Sequence, residues 1–258
     1  MSSAKPVSGV TVWEYPIPSG VAPGFDLRES GTDRRRRALE IGDRLERALP
    51  EARIALHFRS DLELLVSVVL SAQCTDARVN QATPALFARF PDAAAYAAAQ
   101  PEALWPCIRS LGLYRAKAKA IVAAMRVISA EHGGRVPRNR EDLERLPGVG
   151  RKTAGVVLVH LGAGAAFPVD THVGRVARRL GLTRAEDPDR VERDLCALYP
   201  EERWGRMHQL FVWHGRRTCA ARAPACERCV AEELCPKRGV TRVGRGPSAG
   251  GTVRGAPF

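Results

Sequence analysis

One nine-residue stretch restricts the fold more than any other: Leu146-Pro147-Gly148-Val149-Gly150-Arg151-Lys152-Thr153-Ala154. Residues up to Arg145 read as the end of one helix, and those from Lys152 onward as the start of a second of about three turns. Pro147 cannot continue the first helix, because its ring removes an amide donor and clashes with the preceding turn. Gly148 and Gly150 permit positive φ and let the backbone approach a ligand closely. The second helix then begins with N–H groups that have no acceptor inside it, and with the positive end of its dipole outward. Such a start binds phosphate without reading a base, which makes Gly148, Val149 and Gly150 candidate contacts. A helix-to-helix turn that merely needs glycines is the competing explanation.

The helical signal runs through the rest of the chain. Within 33–50, Ile41, Leu45 and Leu49 fall at i, i+4 and i+8, a helix stripe, with Asp33 as N-cap and Pro50 as stop. Residues 61–73 form a mostly buried helix, and further helices are expected at 76–89, 101–109, 115–129, 140–145, 151–162, 171–181, 188–198 and 201–216. The apolar runs Val68-Val69-Leu70 and Val156 to Val159 lie inside longer helix-compatible segments with no hairpin signal, so strands are not favoured there. No fixed-period repeat occurs. The fold class is all-α.

The 258 residues, 45% apolar, can bury an ordinary core in one large domain or two modest ones. Residues 1–32 mix Pro, Gly and Ser without periodicity and read as a flexible arm. From Pro236 to Phe258 the chain holds five basic residues (Lys237, Arg238, Arg242, Arg245 and Arg254) and no carboxylate, the composition of a disordered basic tail. The longest uncharged stretch, 153–169, carries His160, Gly162, Gly164 and Pro168 and falls just short of the roughly 18–20 residues a spanning helix needs. The first twenty residues show no continuous apolar h-region and little arginine, so neither a secretory signal nor a mitochondrial transit peptide is read there. An intracellular chain keeps its thiols reduced, so its seven cysteines invite a metal or catalytic role before a disulfide one.

Forty Lys and Arg against 28 Asp and Glu leave a net charge of +12, which attracts polyanions such as nucleic acid. Lys152 falls in the first turn of the second hairpin helix, where the dipole disfavours a positive charge and partial desolvation would lower the amine pKa. A depressed pKa is what a Schiff-base lysine requires; a plain phosphate-binding lysine is the alternative. Asp170 can come near it in principle. A helix over 151–162 advances about 18 Å, and seven extended residues span up to about 23–25 Å on the return. A carboxylate there could accept a proton or stabilise an oxocarbenium-like sugar cation, or it could simply be the N-cap of the helix that starts near Thr171.

Cys219, Cys226, Cys229 and Cys235 have the spacing C-x6-C-x2-C-x5-C and fall within 17 residues. Four thiolates so placed could close around one Zn²⁺ or one [4Fe–4S] cluster and clamp a segment that buries no core of its own. The single CxxC knuckle favours the cluster over zinc, whose structural sites more often use two. Arg216, Arg217 and Arg222 surround the loop and would present cations to a phosphate backbone, or else stay solvated.

Taken together, LSAQCTD at 70–76, LGLYRAKA at 111–118, LPGVGRKTA at 146–154, VDTHVGRV at 169–176 and the cysteine loop resemble the endonuclease III family of DNA glycosylases with abasic-site lyase activity. The hairpin segment resembles the helix-hairpin-helix of DNA-binding proteins. The likeness covers roughly residues 34–238 in the family's order and leaves out only the two tails.

That resemblance implies two helical domains with a DNA cleft between them. One is a six-helix barrel at 54–164 carrying the helix-hairpin-helix; the other is a discontinuous iron–sulfur cluster domain of 33–53 plus 165–238, with 1–32 as an arm and 239–258 as a tail. It further implies that Lys152 attacks C1′ of a flipped nucleotide and expels the base, and that the resulting Schiff base permits β-elimination. Asp170 matches the catalytic carboxylate, the four cysteines match the ligands of a [4Fe–4S] cluster, and Arg222 is a DNA contact. Gln73 and Leu113 match the residues that fill the gap left by the flipped nucleotide: an amide can pair with an orphaned base edge, and an apolar wedge can replace lost stacking. The implied partner is double-stranded DNA with oxidised pyrimidines or abasic sites, bound by a monomer in a bacterial cytoplasm, at the nucleoid. Gly155 departs from the family, which commonly has Asn after KTA. The related adenine-mismatch glycosylases often carry Gly there, making a monofunctional enzyme of that kind one alternative. A non-catalytic DNA-binding iron–sulfur module is the other.

Overall fold

The computed structural model describes residues 29–244. The remainder of the expected arm and tail lies outside the described residues. Within them the chain is helical throughout, with no strand. The α-helices are α1 (Gly31–Ala48), α2 (Asp61–Ser71), α3 (Asp76–Arg89), α4 (Ala93–Ala98), α5 (Trp105–Ile108), α6 (Tyr114–Glu131), α7 (Arg140–Arg145), α8 (Arg151–Leu161), α9 (Thr171–Arg179), α10 (Pro188–Leu198) and α11 (Trp204–Arg217). Short 3₁₀ turns precede α5 and α11, and two more lie in the cysteine loop. No helix among the described residues is long and apolar enough to cross a membrane.

The described residues form two compact units, one of residues 54–168 and one of 29–53 with 169–244. In the first, α2 is buried from Leu64 through Leu70 and packs against α3, α6 and α8. The valine runs are therefore helical, as favoured. A single core joins Leu86, Tyr96, Leu104, Ile108, Ile121 and Val157. This unit has seven α-helical segments among the described residues, one more than the sequence pattern announces. The extra one is α4. It is capped by Asp92, whose carboxylate accepts from the Ala95 amide at 2.8 Å, and anchored by Tyr96 stacked on Phe90 at 5.0 Å. Six residues are too few to show a period.

In the second unit, α1 buries Ile41 and Leu45 as its stripe requires. Its cap is Ser30 rather than Asp33: the Ser30 hydroxyl accepts from the Asp33 amide at 3.1 Å and donates to the Asp33 carboxylate at 2.8 Å. Asp33 sits inside the first turn, and Gly31 and Thr32 belong to the helix instead of a flexible arm. Helices α9 and α11 pack on each other, and α1 packs against α10 and α11. At the other end, residues 239–244 are held, contrary to the expected disordered tail: the Gly244 amide donates to the Pro224 carbonyl at 3.0 Å.

Candidate functional site

The hairpin joins α7 to α8. Gly148 has φ +80, a conformation L residues avoid, and a Cβ there would lie 2.7 Å from the Cβ of Ala120. Its glycine is therefore a packing and backbone requirement. Val149 is buried in the core, and its amide donates to the Leu146 carbonyl at 3.0 Å, so its side chain is a structural anchor and makes no outward contact. Gly150 is the N-cap of α8, and nothing lies within 4 Å of where a Cβ would stand. Gly148 and Gly150 are both exposed, whereas Val149 turns inward.

Lys152 is exposed in the first turn of α8. It stands at the positive end of the α8 dipole. Three positions on, Gly155 is buried on the inner face of α8, where a Cβ would sit 3.3 Å from Pro168 and 3.6 Å from Ala166. A side chain at that point must push the 166–168 segment away, which gives the departure from the family pattern a packing cause.

Asp170, in the other unit, is the N-cap of α9: its Oδ1 accepts from the Val173 amide at 2.7 Å. The cap leaves Oδ2 without a hydrogen bond among the described residues. Two residues on, burial pulls the His172 pKa below its ordinary value, partly opposed by the Asp170 charge. Its Nδ1 is 3.1 Å from Arg175 Nη2 and serves as an acceptor there.

Gln73 and Leu113, both in the first unit, adopt left-handed backbone, φ 55 and 60. Both are exposed, Leu113 by 58%. A large apolar side chain so far in solvent is not part of the core.

Cys219, Cys226, Cys229 and Cys235 all line one pocket of about 370 Å³, counting its open mouth, together with Arg179, His214 and Lys237. None is in a disulfide. Among the described residues no three Cys, His, Asp or Glu side chains converge on one ion-sized point. Burial pushes the Cys229 thiol up to about 11 and the Cys235 thiol up to about 12, and Cys235 donates to the Arg179 carbonyl at 3.2 Å. Burial also drives His214 down to about 4, so it stays neutral, 3.6 Å from the Cys229 sulfur.

Two arginines to which the sequence analysis assigns no role organise this loop. Arg175 donates to the carbonyls of Gly215 (2.9 Å) and Cys219 (3.2 Å). One turn later, Arg179 donates to those of Ala220 (2.6 Å) and Ala221 (2.8 Å), and lies 3.5 Å from the Cys219 sulfur. Their i, i+4 spacing on α9 was the available signal. Of the arginines expected to face phosphate, Arg222 is exposed, without hydrogen bond or ion pair among the described residues, and Arg216 is exposed. Arg217 is spoken for: it pairs with Glu51 and stacks 4.2 Å from the Trp213 ring.

A sequence profile of the HhH-GPD superfamily of base excision DNA repair proteins matches residues 66–201. Endonuclease III of Synechocystis sp. is 48% identical over 204 residues, 79% of this chain and 93% of that protein. Endonuclease III of Escherichia coli is 41% identical over 197 residues, 76% of this chain and 93% of its own. A solved structure of a trapped endonuclease III–DNA covalent intermediate superposes with a TM-score of 0.75 at 41% identity, covering 79% of this chain and 96% of that one. The chain belongs to the endonuclease III family of HhH-GPD base excision DNA repair proteins.

Proposed function

We infer that this chain is a bifunctional DNA glycosylase and abasic-site lyase of base excision repair, acting on double-stranded DNA that carries oxidised pyrimidines or abasic sites. The observation that carries the inference is Lys152: an exposed primary amine in the first turn of α8, beside the open backbone of Gly150, in a chain like one caught as a covalent DNA intermediate. Phosphate settles on the α8 N-terminus and sets the register. The deoxyribose then covers the amine and takes it out of water. Once neutral, the Lys152 nitrogen attacks C1′ of the extruded nucleotide; the C1′–N bond to the base breaks and the base leaves with the bonding pair, taking up a proton. Ring opening gives a protonated Schiff base, loss of a C2′ proton follows, and the 3′ phosphate leaves by β-elimination. The free Oδ2 of Asp170 is suited to stabilise the cationic sugar and to shuttle protons, while Oδ1 keeps the side chain fixed as a cap.

The four cysteines would hold a [4Fe–4S] cluster. Four thiols on the wall of one pocket, with no ion-sized convergence, suit a polynuclear group better than a single Zn²⁺, which needs every sulfur at about 2.3 Å. Bound there, the cluster would supply structural cross-linking, and its assembly must displace protons from the thiols that burial protects. The exposed Arg222 in the same loop would contact the DNA backbone.

Borohydride reduction in the presence of abasic duplex is expected to trap a covalent adduct with the wild-type chain and none with Lys152→Ala. Undiminished trapping in the variant would remove the assigned nucleophile. Base release without nicking would instead support the monofunctional reading.

A further inference from the structure

Lys117 is buried, only 5% exposed, and no carboxylate pairs with it among the described residues. An ammonium in that position is costly compared with a methionine of similar shape, so its bonds identify what it is for. Its Nζ donates to the Leu70 carbonyl at 2.8 Å, in the last turn of α2, and to the Cys74 sulfur at 3.3 Å. These two acceptors flank Gln73 along the chain. Its own amide donates to the Leu113 carbonyl at 3.0 Å and closes the first turn of α6. The loops also touch: a Cβ on Gly112 would lie 3.9 Å from both the Gln73 carbonyl and the Cys74 sulfur.

One residue thus reaches both segments that hold non-glycine left-handed backbone in this unit. Such conformations are strained for residues other than glycine and persist where the surroundings over-determine them. The α2–α3 loop has its own local bonds, Cys74 amide to Ser71 carbonyl at 3.0 Å among them, but nothing local fixes it against the start of α6. The geometry points to Lys117 as a positioning residue: it holds Gln73 and Leu113 in register as a preassembled pair, so that the amide and the apolar wedge enter the duplex together. This rests on the reading of those two residues as the gap-filling pair, and it adds a buried group that neither touches DNA nor shares their exposure.

The test uses the full chain and a duplex with a tetrahydrofuran abasic analogue, with 2-aminopurine in the opposite strand reporting unstacking at the gap. Lys117→Met is expected to weaken binding about tenfold, as loss of a charge-assisted hydrogen bond implies, and to depress the 2-aminopurine signal. Its single-turnover nicking of abasic duplex at saturation is expected to change little, because Lys152 is untouched. In Lys117→Met/Gln73→Ala the binding loss should fall short of the sum of the two single losses, because the lysine acts through the pair to which the glutamine belongs. Losses that add, or a saturating rate that falls in step with melting temperature, would show a merely structural lysine and overturn the proposal. Wild-type unstacking in Lys117→Met beside a deficient Gln73→Ala would overturn the positioning role alone; wild-type behaviour in Gln73→Ala would overturn the gap-filling reading and this inference with it. Should Lys117→Met fail to fold, Cys74→Ala removes one of the two bonds, and the same comparison is read as a smaller loss of binding.

Discussion

At the scale of single residues, the cap that Asp170 forms and the catalytic role proposed for it can be separated chemically. Its Oδ1 caps α9, and an asparagine can cap equally well, but only a carboxylate can offset a sugar cation. Asp170→Asn is therefore expected to keep its melting temperature and DNA affinity while base release falls roughly a hundredfold or more. Asp170→Ala should lose the same activity and about 1 kcal/mol of stability besides. Full turnover by the asparagine variant would remove the carboxylate from the mechanism. His214 gives a pH signature. Its folded pKa, about 4, lies below the ordinary value of 6.5, so the native state prefers the neutral ring. Its contribution is complete above pH 6.5 and is lost as pH falls towards 4, on the order of 3 kcal/mol over that window. Urea unfolding of wild type and His214→Gln across that range should show the slope in the first and a flatter line in the second.

At the scale of elements, the hairpin separates what a glycine-rich motif means locally from what it means in three dimensions. Gly148 holds positive φ against Ala120, so Gly148→Ala is expected to cost on the order of 1–3 kcal/mol. The measurement is a denaturation midpoint, with nicking of the surviving folded fraction as a second readout. Gly150→Ala meets open space at an extended φ of −93 and should fold normally; any defect it shows will be in DNA binding. Helix positions were legible because each has a local cause. Pro188 opens α10 behind the Asp187 cap, and α3 and α7 occupy the segments that their patterning marks. Errors fall where local signals compete or run short. Ser30 and Asp33 are both good caps three residues apart, and α4 is shorter than two helical periods.

At the scale of the whole molecule, the net charge of +12 predicts binding dominated by counterion release. The logarithm of the affinity for abasic duplex should fall linearly with the logarithm of salt, by about 0.9 per phosphate neutralised. A salt-independent affinity measured by fluorescence anisotropy would contradict that electrostatic footprint. The candidate site was legible to the extent that chemistry follows residue type and spacing. The amine, the carboxylate and the four thiols stand at recognisable intervals in the chain, whereas Arg175, Arg179 and Lys117 look like ordinary surface cations until their partners are seen.

The amino-acid sequence on its own determined most of the helical segments, though not α4, and which residues could carry reaction chemistry, because periodicity, caps and prolines act within a few residues. Only the tertiary structure decided that Val149 is core, that Gly155 makes room for Pro168, that Arg217 is occupied by Glu51, and that Lys117 bonds to the carbonyl of Leu70, 47 residues away along the chain. Each of these depends on packing between distant segments, and a local pattern does not encode which atom will arrive from far along the chain.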